Sequence, residues 1–228
     1  MCCKRLGVWL CLVLLLACGC ERRRETQPMA DVGDDSEFVI AVLVDLSGSF
    51  FDKMTNEGEA HRFLLSLLDR YFRERIGTND QIILAQISGT PDRALLWQGT
   101  PMELRKQFAS PAKFAEFLRS KADPQGSCVH SALQQTVEYA MSQPNVAARK
   151  ARSAVFVLSD MLDSTADEAI SRARAMEVLG QYGTLGGMIC LYFVDQALIP
   201  VWQTELGETG LRFAVTSEIR QPTLPSFD

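Results

Sequence analysis

The chain has only two histidines and a single run of three adjacent basic residues, and just two of its seven cysteines, Cys128 and Cys190, lie beyond residue 20. Each scarcity closes off a class of chemistry. Formal net charge is −5, and the basic run Arg22-Arg23-Arg24 is flanked by Glu21 and Glu25. Nucleic acid needs clustered Lys and Arg against its phosphates, so it is set aside as a partner. The basic run reads as solvated beside lipid headgroups, with specific lipid binding as the weaker alternative. Cys128 and His130 invite a nucleophile-and-base reading, but residues two apart at a helix start do not face each other. With no third residue to orient a base, covalent catalysis has little to stand on. The leading uncharged run, residues 6–17, falls short of the roughly 20 residues that span a bilayer. No internal repeat and no low-complexity segment are present.

Lys4 and Arg5 ahead of that short apolar run read as a signal peptide. Its end, Leu15-Leu16-Ala17-Cys18, resembles the lipobox of bacterial lipoproteins. The resemblance implies that residues 1–17 are removed and that Cys18 carries lipid as the new N-terminus. Cleavage at Cys20 is the alternative, though it puts Cys18 and Gly19 where the pattern prefers an aliphatic and a small residue. Gly19 in place of Asp after the lipidated Cys implies, in a diderm cell, the outer membrane. Residues 18–36 are polar or small, with Pro28, Asp31, Asp34 and Asp35, and read as a flexible tether. Cys190 sits in the apolar run "MICLYFVD" and reads as a small core residue. An oxidising compartment allows a Cys128–Cys190 disulfide, but a turn and a buried strand are poorly matched contexts for one.

Residues 37–216 have the size of one domain, followed by a polar tail, residues 217–228, with Pro222 and Pro225. Apolar runs at 38–44, 81–87, 94–97, 153–158, 188–194 and 211–215 predict six strands, the second and third joined as a hairpin. Helical spacing predicts helices over 57–76, 102–108, 112–120, 130–142 and 165–181, and a short one at 200–205 before a turn at Gly207 and Gly210. Strands alternating with helices imply an α/β, doubly wound, mostly parallel six-stranded sheet with one antiparallel edge strand and helices on both faces. His61 is expected on the polar side of the first long helix, and His130 on a helix surface or rim. Ligands of such sheets bind beyond the carboxyl ends of the strands, and Asp45 stands at one such end.

Three segments carry the candidate site: Asp45-Leu46-Ser47-Gly48-Ser49 after the first strand, Gly126-Ser127 before a helix, and Ser159-Asp160 after the fourth strand. In this order they resemble the metal-ion-dependent adhesion site of von Willebrand factor type A domains, the fold shared with integrin inserted domains. The family pattern is Asp-x-Ser-x-Ser, then Thr in "G-T-x-x-x-x-A-L", then Asp in "T-D-G". Here "GSCVHSAL" puts Ser127 in the Thr position, and "VFVLSDM" supplies Asp160 with Met161 in place of Gly. The resemblance implies a site for Mg2+ or Mn2+ held by Asp45, Ser47, Ser49, Ser127 and Asp160. These are hard oxygen donors, unlike the Cys and His that zinc sites draw on. One coordination position would stay open for a carboxylate presented by a partner protein of the envelope or the exterior.

Two other classes remain in view. Phosphoryl-transfer enzymes of the haloacid-dehalogenase type carry an Asp two positions after the nucleophile, where this chain has Ser47. A receiver domain would place Lys where Asp195 stands. A metal-independent envelope scaffold is the other alternative, with Asp45 and Asp160 merely capping loops. The reading expected from sequence is a non-enzymatic, lipid-anchored, envelope-facing module that binds protein through a divalent cation.

Overall fold

In a computed structural model of the chain, residues 37–48, 50–55, 58–74, 79–88, 94–123, 126–217 and 225 are described. The leader, the lipidation candidate Cys18, the tether, Ser49 and all of the tail but Ser217 and Pro225 lie outside the described residues.

Six strands form the sheet: β1 (Phe38–Asp45), β2 (Gln81–Ile87), β3 (Leu95–Gly99), β4 (Arg152–Leu158), β5 (Met188–Val194) and β6 (Arg212–Ser217). Their order is β3-β2-β1-β4-β5-β6. Only the β2–β3 pair is antiparallel; every other pair is parallel. The expected doubly wound sheet with one antiparallel edge strand is therefore the observed one.

Parallel neighbours need crossover connections. These are α1 (Glu59–Glu74), α4 (Val129–Ser142), α6 (Glu168–Thr184) and α7 (Ile199–Thr209), with shorter helices α2 (Pro101–Gln107), α3 (Pro111–Ser120) and α5 (Pro144–Ala147). Phe38, Ile40, Val42 and Val44 pack into a core with α1, α2 and α3. Val39, Ala41 and Leu43 face the opposite core, shared with α4, α6 and α7. Burial on both faces explains why β1 reads as an unbroken apolar run and not as an alternation. No helix among the described residues is long and apolar enough to cross a membrane.

Local chemistry sets several boundaries. Thr100 caps α2 by accepting from the Glu103 amide at 3.3 Å, while Glu103 accepts from the Thr100 amide at 2.7 Å. This reciprocal pair satisfies two otherwise orphaned donors. Gly210 ends α7 in the left-handed region, at φ 71°, where glycine carries no Cβ penalty.

Four expectations are corrected. Helix α7 runs through Gly207 instead of turning there, because Trp202 and Leu206 are buried along it and outweigh the roughly 1 kcal/mol that an interior glycine costs. The 3-10 turn Phe51–Met54 and helix α5 were not anticipated. His61 is fully buried instead of facing solvent. The reason is that α3 covers that side of α1, bringing the Phe114 ring to 6.3 Å from the imidazole. His130 is buried too, for reasons that belong to the site. Cys128 and Cys190 are not joined, and burial pushes the Cys190 thiol up to about 11.

Candidate functional site at the strand ends

β1 and β4 lie side by side at the switch point of the sheet, and their register pairs Val44 with Leu158. The next residues, Asp45 at the end of β1 and Ser159 just past β4, therefore lie beside each other. The Ser159 hydroxyl donates to Asp45 Oδ2 at 2.7 Å. Asp45 Oδ1 accepts from the Ser47 amide at 2.9 Å and from the Ser47 hydroxyl at 2.5 Å. The Ser47 hydroxyl in turn contacts the Ser127 hydroxyl, from a residue 80 positions further along the chain. Asp45, Ser47 and Ser127 thus present a continuous string of oxygen atoms.

Asp45 is fully buried. Burial raises its carboxyl above the ordinary range, the Ser47 and Ser159 hydrogen bonds pull it back, and the negative charge of Asp160 adds to the rise. A desolvated carboxylate beside a second acid is an unfavourable charge arrangement, which a cation would relieve.

Ser127 is placed by the loop before α4. Its amide donates to Ser164 Oγ at 2.8 Å, and the Ser164 amide donates back to the Ser127 carbonyl at 2.9 Å. One residue on, the Cys128 amide donates to the Ser88 carbonyl at 3.0 Å, just past the end of β2. Cys128 occupies the cap position of α4 but makes no side-chain cap. Asp163 supplies one instead. Its Oδ2 accepts from the His130 amide at 2.9 Å and lies 2.8 Å from His130 Nδ1, and its Oδ1 accepts from the Thr165 amide at 2.7 Å. Burial alone would raise the Asp163 carboxyl, but these bonds to His130 and Thr165 prevail and hold it at about 2. The imidazole stacks on Trp202 with centroids 5.4 Å apart and planes 19° from parallel. His130 is therefore an interior tie between α4, α7 and the loop after β4, not a rim residue.

Asp160 follows Ser159 and accepts from the Leu162 amide at 3.1 Å, while its carbonyl accepts from the Asp195 amide at 3.0 Å. Asp195 caps its own loop through the Ala197 amide at 2.8 Å. Met161 has φ 64°, so the backbone keeps the left-handed conformation that glycine adopts freely. Its side chain is buried in the core shared with α4, α6 and α7, and its amide donates to Ser159 Oγ at 2.8 Å. The left-handed region costs a non-glycine residue about 1–2 kcal/mol, whereas emptying a buried Met site costs about 2–5 kcal/mol. Met161→Gly is accordingly expected to destabilise the protein by about 2 kcal/mol in urea denaturation. A variant at least as stable as wild type would mean that strain outweighs packing.

Of the five predicted ligands, Asp45, Ser47 and Ser127 are brought into contact, and Asp160 lies close enough for its charge to act on Asp45. Ser49 is outside the described residues. The string could hold a hard divalent cation, since it combines carboxylate and hydroxyl oxygens. Among the described residues no group of three or more His, Cys, Asp or Glu side chains comes together as a metal site. Two clefts, about 750 Å³ between α6 and α7 and about 350 Å³ among α1, α2 and α3, include none of the predicted ligands. Sequence reasoning placed Ser159 in the third segment of the site without giving it a role, and missed Asp163, Ser164 and His130 as supporting residues. Those three carried no signal, because their partners come from distant parts of the chain.

No family profile and no curated protein matches the sequence. Solved structures do resemble the fold. The SpRpn10 VWA domain matches at 10% identity and TM-score 0.55, over 80% of this chain and 87% of that one. The TFIIH p34 N-terminal domain matches at 16% identity and TM-score 0.52, over 79% and 91%. The pilus adhesin SpaC of Lactobacillus rhamnosus GG, in its open conformation, matches at 10% identity and TM-score 0.55, over 82% of this chain but only 28% of the adhesin. The body of this chain therefore has the von Willebrand factor type A fold.

Proposed function

We propose that this protein is an interaction module of a bacterial cell envelope, anchored by lipid on Cys18, that binds a protein partner through a divalent cation held by Asp45, Ser47, Ser49, Ser127 and Asp160. The observation that carries the reading is the meeting of Asp45, Ser47 and Ser127 oxygens at the switch point, around a carboxyl that burial has raised. The fold supports a protein as the partner in general, since one similar structure is that of a pilus adhesin. The metal would supply an electrophilic point for a carboxylate on that partner. Asp45 and the hydroxyls of Ser47 and Ser127 would hold it, while Ser159 orients Asp45. The lipobox-like leader supports the lipid anchor, and Gly19 in place of Asp after Cys18 supports an outer-membrane location in a diderm cell.

A metal-independent scaffold is the second reading. The observation favouring it is that both Asp45 oxygens already accept hydrogen bonds, from Ser47 and Ser159. Thermal melts in EDTA and then in excess Mg2+ or Mn2+ separate the two. A cation that binds only the folded protein adds about 2.7 kcal/mol at 100 times its dissociation constant, so the first reading expects a clear rise in Tm. No shift with either cation, alone or with a carboxylate-bearing partner present, would leave the scaffold.

A further inference from the structure

We infer that Asp163 is a positioning residue for this site, a role that rests on the cation reading above. Ser127 is the one proposed ligand in contact here that comes from neither β1 nor the loop after it. Within its own segment, Cys128 stands at the cap position of α4 without a side-chain cap, and its amide is tied to the Ser88 carbonyl. The side-chain bonds that hold this junction come from the loop after β4. Asp163 takes the His130 amide and faces His130 Nδ1 with one oxygen, and holds the Thr165 amide with the other. Ser164 closes the same junction through both the amide and the carbonyl of Ser127.

The same loop begins with Ser159 and Asp160, which adjoin Asp45. One short segment therefore sets both the carboxylate side and the Ser127 side of the oxygen string. The side chains of His130 and Asp163 are 4% and 1% exposed, so solvent does not compete for these bonds. Stacking of the imidazole on Trp202 fixes the ring from the α7 side. A hydroxyl ligand must be held to within a few tenths of an ångström to serve a cation with a tight octahedral shell. Asp163 provides that restraint without touching the cation, as outer-shell partners do.

The test compares full-length wild type with Asp163→Ala, Asp163→Asn and Asp45→Ala, measuring Mn2+ affinity by water-proton relaxation at a temperature where each is folded. Hydrogen exchange at the Ser127 and His130 amides is followed in EDTA. Asp163→Ala is expected to weaken Mn2+ by about tenfold or more and to speed exchange at both amides. Asp163→Asn, which keeps one acceptor oxygen, should fall between it and wild type, and it remains informative if the alanine variant does not fold. Unchanged Mn2+ affinity in folded Asp163 variants, with binding lost in Asp45→Ala, would overturn the positioning role and leave the cation reading standing. A wild type that binds no Mn2+ would overturn both.

Discussion

Asp45→Asn is expected to lose at least about a hundredfold in Mg2+ or Mn2+ affinity, more than outer-shell changes cost, and yet to be more stable than wild type in EDTA at neutral pH. Both signs follow from one fact. The Asp45 carboxyl is buried at the strand end with Asp160 close by, so its folded-state pKa is raised above the ordinary value of 3.8. Between that ordinary value and the raised one, the folded protein binds more protons than the unfolded chain. Stability of the cation-free protein therefore falls as pH rises through this window, and above it the cost is carried in full. Asparagine keeps an acceptor for Ser47 or Ser159 and removes the charge, so it escapes the cost.

The cation is the natural compensation in wild type, and its affinity should drop in acid as protons compete for Asp45. Urea denaturation of both proteins in EDTA and in saturating Mg2+, from neutral pH downward, checks the whole argument. Wild type should gain most from Mg2+ at neutral pH, and the advantage of the variant in EDTA should shrink on acidification. A variant less stable than wild type in EDTA at neutral pH would mean that the carboxylate serves the fold as a hydrogen-bond centre, which is the scaffold reading.

The second large effect is on stability, with the opposite dependence on pH. Asp163→Ala is expected to cost about 3 kcal/mol near neutrality, because it strands the His130 and Thr165 amides in a part-buried junction. The Asp163 carboxyl is held at about 2, below its ordinary 3.8. Its contribution is therefore complete above pH 3.8 and is lost as pH falls toward 2. The gap between wild type and variant should be constant from neutral pH to about 5 and narrow below 4. Urea titrations at a series of pH values measure it directly. A gap that stayed the same down to pH 2 would show that the alanine variant fails through lost packing and not through lost charge-assisted hydrogen bonds.

The strands were legible because burial on both faces leaves a plain mark. β2 and β5 have the limits that their apolar runs predicted, and β1 differs only by taking in Asp45. The three parts of the candidate site were also legible, because each sits at an element boundary that its own neighbours define. What could not be read was the shell behind them. His130 looks like a surface residue in sequence, since its burial depends on Asp163, 33 positions away, and on the face of Trp202. His61 was misplaced for the same reason: the covering helix α3 comes from another part of the chain. Gly207 misled in a simpler way, because local turn preference is weaker than the burial of Trp202 and Leu206.

The placement of β1 and β4 at the centre of the sheet bears on how the protein is made. While the chain is being synthesised, β1, β2 and β3 can pair as soon as residue 99 has emerged, but the other side of β1 must wait for β4. Until then an eight-residue apolar strand is a temporary edge, the kind of surface that recruits chaperones or joins to a second chain. Because Ser159 meets Asp45 across 114 positions, a nascent chain cut short before β4 would hold four of the five proposed ligands but neither Asp160 nor the Ser159 that orients Asp45. Cation binding would then report completed translation and folding together.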